Sequence, residues 1–419
     1  TEELKNILLS KASEDFDWSA ISPTIFGAVF ESTLNPETRR SGGMHYTSIE
    51  NIHKVIDPLF LNDLKAELAE IQQTPVVRTR RSRLEAFQEK LAGLTFLDPA
   101  CGSGGMFIQS ADLVREKRGD ISRINVYGQE KEPATYRLAK MNLALRGISH
   151  NLGGEADSSF THDLHKGLYF NYIMANPPFN LKGWYNDNLK NDARWADYTT
   201  PPASNANYAW ILHILSHLKP LDGVAGFLLA NGALNDEDTL DIRRKLIEND
   251  KVEAIIVLPR ELFITTDISV TLWILNQNKK GGAYHQRQLR NRTHEILFMD
   301  LRTWTENPVK NEGKKKVLLD DRQIQKAADI YHTWQNEGTN SADYAVPELY
   351  RSVGINEIEK QGWSLVPSKY IEFIDHDLEI DYAAEMSRIQ KEMREVLKQE
   401  MKSQKMLEDA FRGIGYGIE

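Results

Sequence analysis

The residues best suited to chemistry in this chain are Asn176-Pro177-Pro178-Phe179, which close the apolar run Tyr169-Phe170-Asn171-Tyr172-Ile173-Met174-Ala175. The run reads as a buried strand. The two prolines stop it, because each fixes φ and lacks an N–H. An amide side chain, two rigid carbonyl-only residues and an aromatic ring together offer hydrogen-bond acceptors locked in place beside a flat face. The same four residues also suit a plain strand-ending turn, since Asn and Pro are common there. The elements that position them decide between the two.

Those elements alternate strand and helix. Leu94-Thr95-Phe96-Leu97 is a strand, and Asp98-Pro99-Ala100-Cys101-Gly102-Ser103-Gly104-Gly105-Met106-Phe107 is a tight turn opening a helix. Glycines at 102, 104 and 105 let the backbone approach a ligand without β-carbon clashes. The turn matches neither the GxxxxGK[ST] phosphate loop nor the GxGxxG dinucleotide pattern. The carboxylate of Asp98 at the strand end suits a ligand carrying an ammonium group, such as the amino-acid end of a nucleoside cofactor. A helix through Met106–Arg118 leads to a strand over 124–129 that ends at Glu130. The two acids are 32 residues apart, close to one βαβ unit, and an acid after the second strand of a doubly wound sheet takes ribose hydroxyls. A helix over Ala134–Arg146 and a short strand over Asn151–Ala156 follow, ending at Asp157. Asp98, Glu130, Asp157 and Asn176 thus end four consecutive strands, and together they point to a ligand site on one sheet edge.

The 419 residues carry 41% hydrophobic and 26% charged side chains, with a formal charge of −9. This is the composition of a globular protein with ample core. No apolar run reaches bilayer length and the first residues do not read as a signal peptide. Cys101 is the one cysteine, so no internal disulfide can form and a reducing cytoplasm is expected. An acidic chain binds DNA poorly by bulk electrostatics, so action on DNA calls for a basic cleft or a partner that supplies one.

Phe96–Phe107 followed by Asn-Pro-Pro-Phe resembles the amino-methylating DNA methyltransferases that use S-adenosylmethionine. Ser204-Asn205-Ala206-Asn207-Tyr208-Ala209-Trp210, Gly226-Phe227-Leu228-Leu229-Ala230-Asn231-Gly232 and Leu258-Pro259-Arg260-Glu261-Leu262-Phe263 resemble the modification subunit of type I restriction–modification systems. The resemblance covers roughly residues 20–280, and the C-terminal tail more weakly. Its motif order is that of the group methylating N6 of adenine. It implies an α/β, class I S-adenosylmethionine-dependent methyltransferase fold, doubly wound around a mostly parallel seven-stranded sheet, with helical N- and C-terminal extensions. It also implies roles. Gly43, Tyr46 and Thr47 would lie at a loop over the methionine end of the cofactor. Asp98, with Ala100, Gly102, Ser103, Gly104 and Gly105, would hold its amino-acid moiety. Glu130 would take the ribose and Asp157 the adenine amino group, with Phe160 packing on that adenine. Asn176 and the Pro177 carbonyl would accept hydrogen bonds from the target amino group, Pro178 would keep the turn rigid, and Phe179 would stack on the flipped base. Neither a metal nor a covalent intermediate is needed, and Cys101 is a small loop residue.

Four regions are expected: a helical N-terminal region over 1–70, the catalytic domain over 71–290, a mixed helical region over 291–370, and a helical tail over 371–419. Ser269–Leu275 is expected as the last sheet strand, antiparallel by the resemblance. Leu181–Pro202 reads as a mobile loop near the target base or as ordinary surface. Two basic stretches, Arg78 to Arg83 and residues 278–316, read either as solvated faces or as phosphate contacts. Met386, Ile389, Met393, Val396, Leu397, Met401 and Leu407 form an apolar stripe suited to docking a partner. No sizeable DNA-recognition domain is evident. The implied partners are double-stranded DNA and a specificity subunit, with a restriction subunit as a further candidate, in a hetero-oligomer away from membranes. About 20 residues precede the Phe26 region, short for a type I modification subunit, so a solitary or phage-defence methyltransferase is the alternative. A catalytically silent cofactor-binding scaffold is the alternative of another class.

Overall fold

The structure, a computed structural model, describes residues 62–108, 125–260, 262, 269–284, 286–306, 308–311, 314–374 and 382–413. The expected cofactor-loop residues Gly43, Tyr46 and Thr47 lie outside them. The chain forms two compact units, one ending at Glu372 and the other beginning at Phe373.

The first unit is built on one ten-stranded sheet. Strands β1 (Thr95–Asp98), β2 (Asn125–Gly128), β3 (His150–Asn151), β4 (Tyr172–Ala175) and β5 (Val224–Ala230) run parallel in the spatial order 3-2-1-4-5. Next come β7 (Val270–Asn276), antiparallel to both neighbours, and β6 (Val252–Val257). This is the expected doubly wound arrangement. Every residue of β4, β5, β6 and β7 is buried, so these strands are largely apolar, as strands covered on both faces are, with Glu253 in β6 and Thr271 and Asn276 in β7 as the polar exceptions. Alternation survives in which side each residue serves. Tyr172, Met174 and Leu228 join one core cluster, whereas Ile173, Ala175, Phe227 and Leu229 join another. The helix Pro133–Leu145 adds Tyr136, Ala139 and Leu143 to the first cluster, and the helix Asn207–His217 adds Tyr208 to Leu212 and Ile214 to the second.

The sheet does not stop at seven strands. Within the region expected to be mixed helical, β10 (Glu295–Asp300) pairs parallel with β6, β14 (Tyr350–Gly354) pairs antiparallel with β10, and β13 (Ala345–Val346) forms the edge. The hairpins β8–β9 (Gly282–Tyr284, Arg287–Leu289) and β11–β12 (Pro308–Asn311, Lys314–Val317) stand apart from it. The helix Asp321–Gln335 starts from a capping box, in which Asp320 and Gln323 each accept from the other's backbone N–H at 2.9 Å.

Four cations of the basic stretch over 278–316 are engaged in internal structure. Arg292 is fully buried and donates to Glu253 at 2.7 Å, and Tyr331 and Gln335 also donate to that carboxylate. Burial pushes the Glu253 carboxyl up, but Arg292 and its other partners outweigh this and hold it below the usual range. Lys279 is buried and donates to the carbonyls of Val252 and Glu295, Arg287 pairs with Asp63, and Arg290 lies against Trp334 and Glu295. These four cations serve the fold, not a DNA-facing rim. In the helix Val77–Ala92, Arg81 pairs with Glu85 and Arg83 with Glu70, as on a solvated face.

The second unit contains the 32-residue helix Tyr382–Gly413. Met386, Ile389, Met393, Val396, Leu397, Met401, Met406 and Leu407 are all exposed on it. Among the described residues no helix is long and apolar enough to cross a membrane.

Candidate active site

The parallel strands β3, β2, β1 and β4 are neighbours, so the residues following their C-terminal ends share one sheet edge, where ligands bind in this architecture. Asp98 is the last residue of β1, and its carboxylate accepts the Ala100 N–H at 3.0 Å. Glu130 follows β2 and accepts the Gly102 N–H at 3.0 Å and the Glu132 N–H at 2.8 Å. The glycine turn is thereby strapped across to the second strand. Gly102 and Gly104 have φ of +54° and +79°, the left-handed region that glycine enters without strain. A β-carbon on Gly102 would meet no atom within 4 Å, so the turn's backbone faces open space at that point. Ser103 holds the turn from behind, its carbonyl accepting from Asn142, and Gly105 begins the following helix. Asp157 lies beyond β3, with its N–H donating to the Glu130 carbonyl and its carboxylate accepting from Ser158 N–H and His162 Nδ1 at 2.7 Å each.

Burial separates the acids electrically. Asp98 is 2% exposed, and desolvation, opposed by the Ala100 hydrogen bond and helped by Glu130, pushes its carboxyl up to about 7. Glu130 is raised as well, mainly by burial. For Asp157, desolvation is outweighed by its bonds to His162 and Ser158, and the carboxyl stays below its ordinary range. Burial pushes the Cys101 thiol well up, which removes it as a nucleophile. An edge lined by three carboxylates repels a phosphate-bearing nucleotide and matches a ligand that presents an ammonium group and hydroxyls.

Asn176 follows β4 directly. The register sets Leu97 beside Ile173, so Asn176 stands two residues further along the edge than Asp98. With about 3.3 Å per residue and about 4.8 Å between strands, the two Cα atoms are roughly 8 Å apart. Asn176, Pro178 and Phe179 are half-buried and Pro177 is buried.

Phe160 belongs to the second core cluster. It is 2% exposed, with its ring centroid 4.2 Å from that of Trp210 and 5.0 Å from that of Trp184. Its ring also lies edge-on to His213, with 6.2 Å between centroids. The stretch after Phe179 differs from a mobile loop. It contains two 3-10 turns, Asp187–Leu189 and Ala193–Trp195, and buries Trp184, Leu189 and Trp195.

Sequence reasoning missed the residues that tie these loops together. Gln129, 1% exposed, donates to the carbonyls of Asp157 and His162 and accepts from Leu164 N–H. Ser159 donates to the Pro99 carbonyl at 2.6 Å, and Arg194 donates to the carbonyls of Ser159 and Phe160. Asn207 bonds to Asn180, the residue after Phe179. The only visible signals were polar residues beside apolar runs. Asp163, His213 and His217 lie together in the manner of metal ligands. However, Arg194 sits 3.0 Å from His213 Nδ1, and its charge opposes a second cation there.

A family model described as N-6 DNA methylase matches residues 74–377. The chain belongs to the N-6 DNA methylase family. It is 34% identical over 322 residues to the methylase subunit of the type I restriction enzyme HindI of Haemophilus influenzae, spanning 76% of this chain and 68% of that one. It is 31% identical to the MjaIX methylase subunit of Methanocaldococcus jannaschii, spanning 77% of this chain but 56% of the relative. The solved type I restriction-modification system methyltransferase subunit from Streptococcus thermophilus has a similar fold, with a TM-score of 0.55 at 22% identity, over 74% of this chain and 58% of that chain.

Proposed function

We propose that this chain transfers a methyl group from S-adenosylmethionine to N6 of a flipped-out adenine in double-stranded DNA. In this reading it is the modification subunit of a type I system whose specificity subunit reads the sequence. The observation that carries the reading is the side-by-side placement of Asp98, Glu130, Asp157 and Asn176 on one edge of the sheet. Relatives named as type I methylase subunits support it.

Asp98 takes the cofactor's ammonium group, Glu130 its ribose hydroxyls and Asp157 its adenine amino group, while the turn from Ala100 to Gly105 lies along the amino-acid arm. The Gly43–Thr47 loop remains the proposed cover. When bound, the cofactor supplies an electrophilic methyl group. The chain must then make the adenine amino nitrogen nucleophilic, because its lone pair is delocalised into the ring. Asn176 Oδ1 and the Pro177 carbonyl accept its two hydrogens and draw the nitrogen toward a tetrahedral form. Acceptors held by β4 and two prolines need no reorganisation, which is where electrostatic catalysis is strongest. Phe179 gives the extruded base a stacking face that offsets part of the unstacking penalty.

The partner reading rests on charge and shape. With Lys279, Arg287, Arg290 and Arg292 engaged internally, the acidic chain gains no DNA-facing rim from these four. The stripe from Met386 to Leu407 is the surface proposed for the specificity subunit. The test is to express the chain in a host without adenine methylation, with and without a co-expressed specificity subunit, and map N6-methyladenine. Site-specific marks that require the partner and disappear in Asn176→Ala are expected. Marks without the partner would instead favour a solitary enzyme, and marks unchanged by Asn176→Ala would refute the site.

A further inference from the structure

The methyl-accepting turn has to be rigid at both ends. Upstream, Ala175 is the last residue of β4 and lies in register with Phe227 of β5. Downstream the chain turns sharply at Asn180, which has φ of +53°, a conformation a non-glycine residue keeps only where surroundings hold it. Asn207 supplies much of that hold. Asn207 Oδ1 accepts the Asn180 N–H at 3.0 Å, and Asn207 Nδ2 donates to Asn180 Oδ1 at 2.8 Å. Asn207 is 3% exposed and is the first residue of the helix Asn207–His217, whose following residues pack into the core. Beside it, the Ala206 N–H donates to the Leu181 carbonyl at 3.0 Å, so the two segments are joined by three hydrogen bonds.

We propose that the Asn207–Asn180 amide clasp is a positioning device for methyl transfer, holding Asn176–Phe179 at the separation from the cofactor that reaction requires. The inference rests on the functional reading above. Asn207 touches neither substrate nor cofactor in this account. It acts through Asn180, fixing the far end of the turn to a helix that the core holds still. The clasp as built uses a donor and an acceptor in one planar group, and an amide supplies both. An alanine at either position removes the reciprocal pair. An aspartate at 207 keeps the acceptor for the Asn180 N–H, and rotation of the Asn180 amide gives its carboxylate a second donor.

The test is steady-state methylation of adenine-containing DNA by the full chain together with its specificity subunit. It compares the parent, Asn207→Ala, Asn180→Ala and Asn207→Asp, with cofactor affinity measured separately. Asn180 is exposed, so replacing it leaves the core intact if the variant at 207 folds poorly. Misplacement of reacting groups by a fraction of an ångström is expressed in kcat. Both alanine variants should lose about tenfold to a hundredfold in kcat with cofactor Kd unchanged, and Asn207→Asp should recover most of it. Alanine variants with parental kcat, or with the loss confined to cofactor affinity, would overturn the clasp while leaving the functional reading in place. A parent with no methyl transfer would overturn that reading and the clasp with it.

Discussion

Asp98 gives the sharpest test of the site, because one carboxylate links stability, pH and ligand affinity. Its pKa is about 7 in the folded chain against an ordinary 3.8. A carboxyl raised in this way holds its proton more tightly when folded. Its contribution to stability is complete below the unfolded value and disappears as pH rises through the folded one. Between about pH 5.5 and about pH 8.5 the folded carboxyl gives up its proton while the unfolded one is ionised throughout, a loss of about 2 kcal/mol. At this chain length that is about 2 °C in melting temperature. Asp98→Asn stays neutral at every pH and should lack that part of the slope, although Glu130, shifted in the same direction, retains its own. Cofactor binding should behave in the opposite sense. An ammonium group needs the ionised carboxylate, so affinity for S-adenosylmethionine should be about tenfold weaker near pH 6 than near pH 8, with a proton released on binding at the lower pH. Asn at 98 should bind weakly and without that dependence. Calorimetric titration in buffers of differing ionisation enthalpy reads both the affinity and the proton. A parent whose affinity is flat from about pH 6 to about pH 8 would refute the assignment of Asp98 as the ammonium partner.

Other outcomes follow from the same structure. Glu253→Ala leaves the fully buried Arg292 without its carboxylate and should cost about 3–5 kcal/mol in a denaturant melt, whereas a loss below about 1 kcal/mol would show that water reaches the guanidinium. Gly128→Ala would set a β-carbon 2.8 Å from Leu152 Cδ2 and 2.9 Å from Phe107 Cε2, so thermal scans should show a destabilised chain. Met393→Lys combined with Val396→Lys alters only exposed positions and should leave the isolated chain's melt unchanged while abolishing co-purification with a specificity subunit.

Asp98 was legible in the sequence because it directly ends an apolar run, and a strand end is a local event, whereas Asp157 lies six residues past the end of β3, which is His150–Asn151 and not the expected Asn151–Ala156. Asp98 and the glycine turn after it needed only adjacent residues to be read. The surroundings of Phe160 were not legible for a related reason. An aromatic near Asp157 suggests a ligand face, yet Trp184 and Trp210, 24 and 50 residues further on, enclose it. Arg292 looked like surface because a charge in a basic stretch has no local sign of burial, and its partner Glu253 is 39 residues away. The strands β10 and β14 were hidden for the same reason, since β10 pairs with β6 across the β7 excursion. Asn207 was quoted only as part of a motif, and nothing local shows that it reaches back 27 residues to Asn180.

The ends of the sheet have a consequence for how this protein meets other chains. Among the described residues it finishes in His150–Asn151 on one side and Ala345–Val346 on the other, two residues each. Strands so short present almost no ladder of open N–H and C=O groups, so a ten-stranded sheet offers little template for a foreign strand to extend. At high concentration the folded molecule should resist edge-to-edge polymerisation, and association must use side-chain surfaces instead.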